Sequence, residues 1–180
     1  SGKIWHKEIC NRRKSGSLYW VDSTIVPFKN SKGWIIRYIS VRVDITARKQ
    51  KEFILRERLK ERTCLYAIRR EMEQDFSISE LCVRIFEHLI PAMQFPDHVA
   101  CMISLYDQCY TSYNYNESLT QGIFARIKVN GTVCGQLQVF YTEEKPFILP
   151  DEQNLINYIA DDFTLWLERK QLERHINFMA

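Results

Sequence analysis

The sequence predicts an α+β fold in which antiparallel strands lead through a helix into a second, mixed domain. Three observations carry this. Residues 3–43 are rich in β-branched and aromatic side chains and are cut by Gly/Ser/Asn clusters, the composition of antiparallel strands and turns. Residues 47–73 contain neither Gly nor Pro and are dominated by strong helix formers. Residues 77–179 then run helix, strands and a final long helix.

Taken in order, strands are expected over residues 4–12, 18–28 and 34–43. Turns at Lys14-Ser15-Gly16-Ser17 and Asn30-Ser31-Lys32-Gly33 separate them. Three strands cannot close a core alone, so this part needs a covering layer from elsewhere. Thr46 is the expected N-cap of the following helix, its hydroxyl accepting from an unpaired backbone N–H. Ile54, Leu55, Leu59, Leu65, Ile68 and Met72 fall on one side of that helix. The step from Leu59 to Leu65 breaks a strict heptad, so an interruption is expected near residues 61–63.

A second helix over residues 77–92 opens with Ser77 and Glu80, the spacing of a capping box, and carries the stripe Ile78, Leu81, Cys82, Ile85, Leu89. Pro91 and Pro96 mark its end. Strands follow at residues 99–106, 109–115, 123–129 and 132–142. The last two flank Asn130-Gly131, whose residues suit a turn that needs φ > 0 at both positions. The final helix runs over residues 150–179. Tyr158, Leu165, Leu172 and Met179 recur every seven residues along it, with Ile176 in support. That spacing suits a helix that pairs with its twin.

Composition excludes several function classes. The longest apolar run, near residues 99–106, is far short of the roughly 20 residues a membrane span requires. No secretory or targeting pattern appears, and cytoplasmic location is the default expectation. The chain opens inside a strand-like segment, which suggests a longer parent. Six cysteines are scattered without a Cys-x-x-Cys pair, and four histidines stand far apart. This favours packed, reduced thiols and no metal site. Residues 1–62 hold 16 Lys/Arg against 6 Asp/Glu, a balance of +10, while the remainder balances at −7. Mixed signs at helical spacing over residues 48–62 read as a solvated helix face, so no nucleic-acid partner is expected.

The runs Gly2-Lys3-Ile4-Trp5-His6, Asn11-Arg12-Arg13-Lys14-Ser15-Gly16-Ser17-Leu18-Tyr19-Trp20, Tyr38-Ile39 and Asp44-Ile45-Thr46-Ala47-Arg48-Lys49 closely resemble the C-terminal (PAC) part of a PAS domain. The match includes the Asp-x-Thr junction into a signalling helix. Residues 63–168 resemble a compact GAF domain, chiefly in element order, with Thr63-Cys64-Leu65-Tyr66 and Leu155-Ile156 in support. The ending from Leu172 to Ala180 is similar to the lead-in of a GGDEF diguanylate cyclase.

Flavin-binding PAS relatives hold their cofactor with amides on these three strands. Asn11 fits the first of them, while Asp22 and Arg42 stand where the other two amides are expected. The cofactor-bearing PAS helices are not in this chain, so neither flavin nor haem is expected. The GAF-like part has only seven residues, 116–122, where ligand-binding relatives place a pocket roof. Tyr106, Tyr110, Tyr113 and Tyr115 read as strand faces. Asp161-Asp162 and Glu143-Glu144 lack a nucleophile or base partner.

The expectation is therefore PAS strands over residues 1–46, a connector helix over 47–62, a GAF-like domain over 63–168 and an outgoing helix over 169–180. The function expected is that of a non-catalytic, cytoplasmic relay module of a bacterial sensory protein. It would work as a homodimer, with Asp44 and Thr46 as the signal junction and Tyr158, Leu165, Leu172 and Met179 as the seam. No catalytic residue, cofactor, metal or membrane contact is expected, and a small-molecule signal stays open. The expected output is cyclic di-GMP synthesis. Alternatives are a histidine-kinase input, a ligand-free dimerisation scaffold, and a redox or haem sensor using Cys101, Cys109 or Cys134. Arg174 before His175 and Ile176 after it argue against a phospho-acceptor there.

Overall fold

The computed structural model describes residues 2–143 and 150–179; for residues 150 and 177–179 it describes the backbone alone. The elements are β1 (Trp5–Arg12), β2 (Leu18–Lys29), β3 (Ile35–Asp44), α1 (Thr46–Met72), α2 (Ile78–Ala92), a 3-10 turn (Pro96–His98), β4 (Val99–Leu105), β5 (Gln108–Thr111), β6 (Gly122–Val129), β7 (Thr132–Tyr141) and α3 (Pro150–Met179). The fold is α+β with antiparallel sheets and a long C-terminal helix. Two compact units are present, Ser1–Arg56 and Glu57–Ala180, and the boundary between them falls inside α1.

The first unit is an antiparallel sheet in the order β1-β2-β3. Its turns follow from local chemistry. Gly16 and Gly33 take φ of 88° and 83°, where a Cβ is disfavoured. The Asn30 side chain accepts from the Lys32 and Trp34 N–H groups at 3.0 and 2.9 Å. Only the central strand is shielded, through Val21 and Ser23, while all ten residues of β3 are exposed.

Register corrects one expectation. Asn11 pairs with Tyr19, and Arg42 with Ser23, whereas Asp22 pairs with Glu8 and Val43. Alternation therefore puts Asn11 and Arg42 on one face of the sheet and Asp22 on the other. Asp22 therefore does not share a face with Asn11 and Arg42, as one set of cofactor-facing side chains would require. A shift of one residue along a strand reverses the face.

The second unit packs helices against a sheet in the order β5-β4-β7-β6. β6 alternates cleanly, with Ile123, Ala125, Ile127 and Val129 buried and Phe124, Arg126 and Lys128 exposed. The buried row joins Ile103, Leu105, Leu137 and Val139 of the neighbouring strands and Ile68, Leu81, Ile85, Leu89, Ile156 and Phe163 of the helices in one core. Phe163 stacks on Trp166 at 5.7 Å. Asn130 and Gly131 have φ of 50° and 78°, as the turn requires. At Gly135 an added Cβ would meet the Ser104 carbonyl oxygen at 1.9 Å, so the β4–β7 approach needs glycine.

The free edge of β6 is covered by α3. Gln153 donates to the Phe124 carbonyl at 2.9 Å, while Thr164 and Glu168 accept from the Lys128 and Asn130 N–H groups at 3.3 and 2.8 Å. Side chains of a helix thus satisfy backbone groups that would otherwise invite another strand.

The second helix forms as expected, with Ser77 as N-cap, the reciprocal Ser77–Glu80 box complete and Pro91 inside its last turn. Other details differ. α1 is continuous through residues 61–63: its core-facing positions are Cys64, Ile68 and Met72, and this row passes Leu59 by without needing a break. β5 stops at Thr111, short of residue 115. There Ser112 takes over, its hydroxyl accepting from the Cys101 N–H at 2.8 Å, and a turn to Tyr115 follows.

Candidate functional site

The expected junction sits where β3 becomes α1, and every group in it is accounted for. Ile45 donates its N–H to the Trp20 carbonyl at 2.9 Å, and the Trp20 N–H donates to the Thr46 hydroxyl at 2.9 Å. Thr46 is therefore not the helix cap. Its hydroxyl is turned to β2, and Asp44 supplies the capping oxygen, accepting from the Thr46 N–H at 2.9 Å. The competition is physical: Trp20 ends the ladder with an unpaired N–H, and Thr46 is the residue within reach. Hydrogen bonds from Thr46 hold the Asp44 carboxyl below its ordinary range. Arg13 approaches the same carboxylate at 3.4 Å.

A second tie runs from β1. Glu8 is paired by Arg48 and Lys49 in the first turns of α1, and Lys49 also lies 5.4 Å above the Trp20 ring. Those two cations lower the Glu8 carboxyl to about 2. A depressed carboxylate contributes stability above its unfolded value near 4.5 and loses that contribution as pH falls through about 2. We expect a Glu8 titration midpoint near 2 in carbon-detected NMR, and a return toward the ordinary range when Arg48 and Lys49 are both replaced by Met. A midpoint of Glu8 near 4.5 in the unmodified chain would show the tie to be absent.

The expected seam lies on α3. Leu155, Ile156, Ile159, Phe163, Trp166 and Leu167 turn toward the core. On the outer face, Tyr158, Leu165 and Leu172 are 56%, 64% and 62% exposed, and Ile176 is 54% exposed. The side chain of Met179 lies outside the described residues. The stripe continues past Leu167, the last core residue of the helix, where residues 171–176 are all exposed. A feature not anticipated from the sequence accompanies it. Arg69 of α1 donates to Asp162 at 2.7 and 3.2 Å, holding the two helices side by side. Leu59 and Tyr66 of α1, 66% and 72% exposed, then form a second apolar row. Their seven-residue spacing was the available signal.

Other candidates stay apart. Tyr106 and Tyr113 are exposed, Tyr110 is half-buried, and Tyr115 rests on Phe140 at 5.7 Å, so the four tyrosines form no common site. Asp162 is occupied by Arg69, Glu143 lies 3.4 Å from His98, and Glu144 lies outside the described residues. All six thiols are free. Burial pushes Cys101 upward and raises Cys64 and Cys82 to about 12, which disfavours the reactive thiolate. Among the described residues no group of His, Cys, Asp and Glu is arranged to hold a metal ion, and no helix is long and apolar enough to cross a membrane.

No protein-family model matches the chain, and no curated protein does. A solved structure does: the nlh2 GAF domain of A. aeolicus in an inactive state, with 15% identity and a TM-score of 0.50. The match covers 63% of this chain and 99% of that one. The likeness shows the fold, and a GAF-like fold is what the four-stranded sheet and its helices make.

Proposed function

We propose that this chain is a relay segment of a sensory signalling protein, in which the strands of the first unit are the end of a PAS domain and the GAF-like unit passes a conformational change along α3 to an output domain. The single observation that carries the reading is the exposed apolar stripe of α3, which outlasts the core it packs against. In water such a stripe is costly, and an isolated helix end of this length is marginal. Pairing with a second copy relieves both. The ties at Asp44, Thr46 and Glu8 support the first unit's part, because they connect the β-sheet to α1 by hydrogen bonds that a shift of β2 would strain.

The device is a choice between two packings, biased by a signal, and not a reaction. A GGDEF cyclase is the output we favour, on the resemblance of the ending at Ile176-Asn177-Phe178-Met179-Ala180. In the longer parent, GTP turnover without histidine autophosphorylation is the expected result; autophosphorylation with GTP untouched would replace the cyclase by a kinase. The relay itself is tested by insertion after Leu172. One added residue rotates the following segment by about 100°, whereas seven return it close to phase. Loss of regulation in the first and retention in the second are expected. Equal behaviour of both insertions would favour a passive scaffold.

A further inference from the structure

Charge is divided unevenly between the two helices that meet at Arg69 and Asp162. Over residues 57–70, α1 carries five Lys/Arg and two Asp/Glu, whereas residues 151–168 of α3 carry five Asp/Glu and no Lys/Arg. Contacts within the chain account for most of these. Lys60 pairs with Glu57, Arg58 lies beside the half-buried Glu61, and Arg69 holds Asp162. Glu152 is buried with Tyr141, and Glu168 accepts from the Asn130 N–H. Arg62 and Arg70 are left on α1, and Asp151 and Asp161 on α3, all exposed and without an ion pair among the described residues. They fall within the two apolar rows. Leu59, Arg62, Tyr66 and Arg70 follow one another at helical steps of three and four, as do Tyr158, Asp161 and Leu165. The exposed face of this helix pair is therefore positive along α1 and negative along α3.

We propose that a second copy of this chain docks on this face with its α3 against α1, so that Arg70 pairs with the partner's Asp161, once on each side of a two-fold axis. This docking presupposes the dimer proposed above and adds which helix meets which. An isologous surface has to complement itself. Were each helix to face its own copy, Asp161 would meet the partner's Asp161 and Arg70 the partner's Arg70, a like-charge arrangement that costs affinity. Crossing the pairs turns both contacts favourable. The heights agree as well. Arg69 with Asp162 and Met72 with Arg169 advance together along the two helices, so α1 and α3 run parallel. An axis along them places Arg70 level with the partner's Asp161. Arg62 then comes opposite the start of the partner's α3, where the partner's Asp151 lies. Beyond Met72, where α1 ends, Leu172 and Ile176 of α3 continue alone and are left to meet their own copies.

Charge reversal tests the pairing in the whole chain, with sedimentation equilibrium at low ionic strength as the readout. Arg70→Asp and Asp161→Arg, both at exposed positions, should each raise the dissociation constant about tenfold, because each replaces two attractive contacts by two repulsive ones. An equimolar mixture of the two variants should regain the dissociation constant of the unmodified chain. In the mixed dimer one contact is the original pair and the other is the same pair with its charges exchanged. Rescue by mixing requires the contact to lie between copies. Added salt should weaken the unmodified dimer and narrow these differences. A mixture no tighter than either variant alone, or a dimer indifferent to both reversals, overturns the crossed pairing and leaves the α3 seam standing. An unmodified chain that stays monomeric removes both.

Discussion

Replacing Leu165 and Leu172 together by Asp is expected to convert a dimer of this chain into a monomer, raising the dissociation constant at least about 100-fold. Each Leu is more than 60% exposed in the single chain, and burying a Leu contributes about 1.5–3 kcal/mol. A symmetric pair loses this contribution on both helices, and the new carboxylates would face one another across the seam. Neither residue belongs to the buried core, so the helical content and melting of the GAF-like unit should change little. That separation is what makes the experiment informative. Sedimentation equilibrium reads it: an unchanged mass for the double variant would remove the seam from the mechanism. A parallel change at Leu59 and Tyr66 asks whether the row on α1 joins the same interface, and a smaller effect is expected because it offers only two apolar positions.

Removing the buried carboxylate of Glu152 is expected to cost about 3 kcal/mol of stability, lowering the melting temperature by roughly 10 °C. Glu152 is 5% exposed, in the first turn of α3. The Tyr141 hydroxyl donates to it, 2.6 Å from both oxygens, and the Gln94 N–H donates at 2.8 Å. Burial and the neighbouring carboxylate push the Tyr141 phenol well above its ordinary value, which keeps it a donor. Glu152→Leu strands two donors in the interior, and their desolvation is then uncompensated. Adding Tyr141→Phe removes one of the stranded groups, so the double variant should recover part of the loss. A double variant no more stable than Glu152→Leu alone would overturn the stranded-donor account, since the ring and its edge contact with Phe95 at 6.4 Å are common to both variants.

Much of the fold is written in local chemistry. The Ser77–Glu80 box, the Asn130-Gly131 turn, the alternation of β6 and the unbroken final helix each depend on residues within a few positions of one another. Pattern and propensity reach that far. The outer stripe of α3 was legible for the same reason, since seven-residue spacing is a property of one helix.

What only the tertiary structure decided involves partners distant in the chain. Thr46 has the chemistry of a cap, but Trp20, 26 residues earlier, competes for its hydroxyl and leaves capping to Asp44. Asp22 and Val21 differ by one position, and the pairing with Glu8 and Val43 decides which face each takes. α1 keeps its continuity past Leu59 because the core it meets is approached by Cys64, Ile68 and Met72. The Arg69–Asp162 pair joins α1 to α3 across 93 residues of chain. Sequence spacing carries no trace of such a meeting, since it is packing that brings those side chains together.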